Sequence, residues 1–95
     1  MSRAIIVSAA YTAVGGNNIM ADTSGAAFTI VLPTTSSLGD TISFGDAKLT
    51  WNTHPLTIGH GAGLINGSGS DFLANIVGLK LIATYISASY GWSVK

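Results

Sequence analysis

The sequence predicts an all-β domain, a compact antiparallel sandwich or barrel of short strands, and three observations carry that expectation. Gly and Asn clusters break the chain at short intervals, which is the spacing of many short strands and turns. Between the breaks, apolar residues alternate with polar ones, the pattern that lines one face of a strand. Glu and Gln, both strong helix formers, are absent altogether, and no stretch sustains a helical period of about 3.6 residues.

The first expected strand covers residues 3–8, where Ile5, Ile6 and Val7 form a short β-branched run. This run is shorter than the apolar core of a signal peptide, roughly 7–15 residues, so a strand is the better reading. Residues 11–14 follow as a second strand, and Gly15-Gly16-Asn17-Asn18 is a turn. Residues 19–22 make a third strand. Thr23-Ser24-Gly25 turns the chain into residues 26–32, where Phe28, Ile30 and Leu32 share one face and Ala27, Thr29 and Val31 the other. Pro33 ends that strand because it has no N–H to give.

A polar loop over residues 34–40 leads to a strand at 41–45, with Ile42 and Phe44 on one face. Asp46-Ala47 reads as a tight connection to a strand at 48–52, with Leu49 and Trp51 in phase. Asn52-Thr53-His54-Pro55 is the next turn, and residues 56–59 carry Leu56 and Ile58 inward. Residues 64–66 read as a short strand before a Gly/Ser loop at 67–70, while residues 71–75 fit no single class. The longest strand is expected over residues 78–87, a turn at 89–91, and the last strand at 92–94.

The chain of 95 residues is one β domain, with residues 1–9 as an N-terminal strand or arm and 10–95 as its body. Domains of this size are marginal unless disulfides, metal or association help them. Cysteine is absent, which excludes disulfides and thiolate metal sites and suits synthesis in a reducing cytoplasm. Only 8% of residues are charged, against roughly a quarter in ordinary globular proteins. Hydrophobic residues make up 47%, so part of the surface is expected to be covered by other chains. The formal net charge is zero and no basic cluster exists, which argues against nucleic acid as a partner. No apolar run approaches the roughly 18 residues of a membrane helix, so membrane insertion is not expected.

Chemistry-bearing residues are few. His54 and His60 flank a proline turn and lack the partners of a metal site, so they read as turn or surface residues. The four aspartates, Asp22, Asp40, Asp46 and Asp71, each sit at a turn, where the carboxylate caps backbone amides. No serine lies in a nucleophile elbow. The glycine-rich run at 59–63 lacks the Lys and the helix of a phosphate loop. No enzyme activity, metal or cofactor is expected. Trp51 and Trp92 read as packing residues, which leaves Tyr90, in a turn, as the best exposed aromatic.

Several stretches, taken together, resemble a known family. They are Tyr11-Thr12-Ala13-Val14, Ile19-Met20-Ala21-Asp22-Thr23-Ser24-Gly25, Phe28-Thr29-Ile30-Val31-Leu32-Pro33 and Gly39-Asp40-Thr41-Ile42. With Leu56-Thr57-Ile58, Ile65-Asn66-Gly67 and Gly91-Trp92-Ser93-Val94, they resemble a small β-module of tailed-bacteriophage virion proteins, found in tail fibres and other appendages. The motifs are strand-and-turn patterns that run over most of the chain.

The resemblance implies a homotrimer located in the virion and made in the host cytoplasm, with other virion proteins such as the major capsid protein as partners. Only residues 1–9 precede the module, so a stand-alone component is expected: a capsid decoration (cement) protein or a small appendage protein. Strand pairing through Ile5, Ile6 and Val7 would then serve assembly. The alternative is a tail-fibre tip that binds host surface glycan, with Tyr90, His54 and His60 in its recognition loops. The stretch from Asp22 to Pro33 is expected to be a rigid hairpin. In it Asp22 and Ser24 bond turn amides and Gly25 takes positive φ, while Gly39-Asp40 makes the next corner.

Overall fold

The structure is a computed structural model that describes residues 4–33, 36–61 and 63–95. Among these residues there is no helix, and none long and apolar enough to cross a membrane. Strands β1 (Ala4–Val7), β3 (Asn18–Ala21), β5 (Thr41–Asp46), β8 (Lys80–Ser87) and β9 (Gly91–Val94) form one sheet in that order. Strands β2 (Tyr11–Thr12), β4 (Phe28–Val31), β6 (Leu56–Gly59) and β7 (Phe72–Ala74) form the other.

The all-β expectation holds, but the antiparallel one does not. The first six strands alternate between the sheets. Each then pairs in parallel with the strand two places on: β1 with β3, β3 with β5, β2 with β4, and β4 with β6. The chain therefore winds round its core three times in one sense, laying one strand in each sheet per winding. A parallel pair needs a crossover. Here the crossover runs through the opposite sheet, which is why short polar turns suffice and no helix is required. Antiparallel pairing appears only afterwards, where β8 returns along β5, β9 along β8, and β7 along β6.

Alternation along each strand places one apolar side chain in two against a shared core. Ile19, Ile42, Phe44, Leu81 and Trp92 come to it from the first sheet, and Ile30, Leu56 and Ile58 from the second. Phe28, Ile30 and Leu32 share a face as expected, as do Ile42 with Phe44 and Leu56 with Ile58. Pro33 stands at the end of the ladder: Leu32 donates its N–H to the Gly59 carbonyl and the next residue has none to offer.

Two expected strands are absent. Residues 48–52 form a turn, in which Trp51 is buried while Leu49 is 64% exposed at φ 57°. Residues 64–66 make only isolated bridges, from Ile65 to Ser68 and to Trp92. The unclassified residues 71–75 contain β7.

Candidate functional site

The residues expected to carry recognition do not converge into a reactive centre. Among the described residues, no group of three or more His, Cys, Asp or Glu could hold a metal ion. His60 lies beside Asp71, with Nε2 3.7 Å from a carboxylate oxygen that also accepts the His60 backbone N–H at 3.1 Å. Its Nδ1 sits 3.1 Å from the Gly63 carbonyl. This is a loop clasp, and both side chains are partly exposed. His54 is half-buried, and its Nδ1, like the Trp51 Nε1, is buried without a hydrogen-bond partner. Tyr90 is 40% exposed, and its ring edge lies against Gly67.

The turn residues act on backbone. One Asp22 carboxylate oxygen accepts the Ser24 N–H at 3.0 Å and the Ser24 hydroxyl at 2.6 Å. These bonds, the hydroxyl's first, hold the Asp22 carboxyl below the usual carboxylate range. Two details differ from expectation. The segment joins β3 of one sheet to β4 of the other, so it is a corner between sheets and not a hairpin. Gly25 does not take positive φ, and a side chain there would meet open space. Ser24 gives its hydroxyl to Asp22, so the Asx turn closes without left-handed backbone. The next corner is as expected: Gly39 has φ 91° and Asp40 accepts the Ser37 N–H at 2.9 Å.

Ile5, Ile6 and Val7 lie on β1, the edge strand of the larger sheet. Val7 is 8% exposed and belongs to the core, while Ile6 is 73% exposed on the outer face. The Val7 carbonyl accepts the Asp22 N–H at 2.8 Å. Peptide groups of a parallel strand point alternately to either side, so those of Ile6 face away from β3. No described strand pairs with that side. On the outer face of the same sheet lies an open depression of about 300 Å³, lined by Gly16, Asn17, Asn18, Thr41, Ser43 and Ile82 without a charged group.

Two further polar residues organise backbone elsewhere, Asp46 at the end of the middle strand β5 and Asn66 against β9. Asp46 is 7% exposed, and its carboxylate accepts backbone N–H groups from Thr50 at 3.0 Å, Trp51 at 3.2 Å and Gly78 at 3.0 Å. It thereby fixes the 47–51 turn that displaced an expected strand. Asn66 and Gly67 both take positive φ, at 52° and 78°. The flanking Ile65 and Ser68 exchange both N–H to carbonyl bonds at 2.9 Å. Asn-Gly between two such residues is the strongest short hairpin signal a sequence offers, and it was the signal that could have located this turn. From there the Asn66 side chain reaches β9: its Oδ1 accepts the Val94 N–H at 3.0 Å and its Nδ2 donates to the Val94 carbonyl at 3.3 Å.

Compared with protein-family models and with curated proteins, the chain matches none.

Proposed function

We propose that the chain is a non-enzymatic structural protein of a tailed-bacteriophage virion: a capsid decoration (cement) protein or small appendage protein. On this reading it works as a homo-oligomer, the homotrimer that the family resemblance implies, with the major capsid protein among its partners. The two sheets act as a rigid sandwich that presents assembly surfaces and carries no reactive site.

The observation that carries the reading is the open β1 edge, uncharged and apolar where monomeric proteins place protection. The short, weakly charged chain supports it too, because such a surface gains by being covered. The test is co-sedimentation of the purified protein with capsids assembled without it, and separately with host cells. Binding to capsids alone is expected; binding to cells alone would replace this reading with the next one.

One observation favours a second reading, a tail-fibre tip for host glycan. Tyr90 is exposed in a turn beside Gly67, an arrangement on which a sugar ring can stack. A glycan array with the intact protein tests it, and Tyr90→Ala should abolish any signal found.

A further inference from the structure

We propose that two copies of the chain join end to end through β1, across a twofold axis, so that both sheets continue from one copy into the other.

The argument starts from the winding. A stack of parallel strands needs a cap at each end, because its last strands carry unpaired peptide groups. One end is capped within the chain. There β8 lies antiparallel on β5 and β9 antiparallel on β8, and the outer edge of β9 is closed by residues 64–66. The Leu64 carbonyl accepts the Trp92 N–H, the Trp92 carbonyl accepts the Asn66 N–H, and the Asn66 side chain takes both groups of Val94. In the smaller sheet, β7 covers β6 with three residues.

At the other end stand β1 and β2, the edge strands of their respective sheets. Residues 8–10 alone join them, so both edges belong to one end of the molecule. Neither carries a cap among the described residues. Nor does either carry the devices that normally keep an edge single, which are lysine, proline, a bulge or an inward charge. From Ala4 to Ala21 the chain has no charged residue at all. Ile6 and Val14 are both largely exposed on this stretch.

The choice of a second copy over another occupant follows from the edges and the charge. A ring of copies built by strand addition needs two different open edges on each copy. This chain offers one long one, because β9 is closed and β2 and β7 are two and three residues long. Pairing between copies therefore joins β1 to β1, which is isologous and antiparallel. A twofold axis that does this also sets β2 against β2. Self-contact usually brings like charges together, which opposes it; residues 4–21, which include both edge strands, supply none. For the same reason the union should ignore ionic strength.

The experiment is the solution mass of the full chain across a concentration series, at low and high salt. A two-chain mass, or the six-chain mass of two homotrimers joined through β1, is expected at both salts. Ile6→Pro removes an N–H that faces outward, a position where an edge strand accepts proline. It should weaken the self-association about 100-fold or more, since the outward ladder is lost from both copies. Ile6→Lys serves if the proline variant does not fold. A monomer at every concentration overturns the proposal, as does a three-chain mass that neither variant changes. The chain has no cysteine, so Ile6→Cys supplies a single thiol. Rapid cross-linking of that thiol to its mate, with slow cross-linking of Leu73→Cys on β7, is the expected pattern; equal rates count against it. The virion reading stands or falls separately. A monomer that binds capsids keeps that reading and loses this one, and a dimer that ignores capsids does the reverse.

Discussion

The two ends of the molecule handle the same backbone chemistry in opposite ways. At the β9 end, a side-chain amide and a tight Asn-Gly turn occupy peptide groups that the strands leave over. At the β1 end, the outward groups of Ile6 face no paired strand among the described residues. The contrast teaches where this small domain gets its stability and where it keeps its capacity to associate. Charged side chains are scarce in it; Asn66 serves the closed end, while Asp46, on the middle strand β5, holds the amides of its own turn and of Gly78.

The largest expected effect is that of Asp46→Ala, on the strand midway between the two ends. The substitution strands three backbone amides in a part-buried or buried setting at once. Hydrogen bonds to a charged acceptor are the strong ones, and an unpaired buried donor keeps its full desolvation cost. A loss of about 4 kcal/mol is expected, read from urea unfolding followed by the fluorescence of Trp51 and Trp92. A loss under about 1 kcal/mol would mean that the 47–51 and 76–78 turns are held by something other than this carboxylate.

Asn66→Gly is the gentler counterpart. Glycine keeps the positive φ of the turn, so the change removes little but the amide that covers Val94. The expected cost is about 1 kcal/mol. The second expected effect is more telling: with β9 uncovered, the chain should self-associate more strongly at a given concentration. Unchanged association would mean that Leu64 and Ile65 close this edge without help, and the comparison between the ends would lose its side-chain basis.

Most strands were legible in the sequence because alternation and turn residues agree there. Phe28, Ile30 and Leu32, or Leu56 and Ile58, face the core wherever their strand is paired, so the local pattern survives any topology. Pairing partners were not legible. Alternation says which face is buried and nothing about the direction of the neighbour, so the parallel winding was read as hairpins. Leu49 and Trp51 show the other limit. Their spacing fits a strand, yet Asp46 captures the amides of Thr50 and Trp51 and bends the chain into a turn. Local polar capture overrode the apolar pattern. The site residues follow the same division: Asp22 and Asp40 were found as turn caps from their neighbours, while the reach of Asn66 to Val94 depends on tertiary contact.

Leu49 itself offers a smaller test in the turn that Asp46 holds. It holds left-handed backbone at φ 57° with most of its side chain in solvent. An L-residue with a Cβ pays roughly 1–2 kcal/mol for that conformation. Leu49→Gly should therefore raise stability by about 0.5–1 kcal/mol, after the extra unfolded-state entropy of glycine is offset. A rise in Tm is the expected outcome; a fall would show that the Leu49 side chain packs in solution.

The smallest effect concerns Asp22, whose N–H is tied to Val7 and so to the open end. Its carboxyl is held below 3.8, first by the Ser24 hydroxyl and then by the Ser24 N–H. A carboxyl with a lowered folded-state value adds stability that is present above its unfolded value and is lost as pH falls through the folded one. The contribution should thus be complete at neutral pH and fade only below 3.8. Because the group is exposed, the gain is small and best read as a titration shift, by carboxyl-carbon NMR of Asp22. Ser24→Ala removes the leading cause and should return the midpoint toward 3.8. If Asp22 in the native protein already titrates at or above that value, the Asx turn does not persist in solution. The corner between the sheets would then have to be set by its strands alone. That result would extend the contrast between the ends, since polar side chains would shape the closed end and only strand pairing the open one.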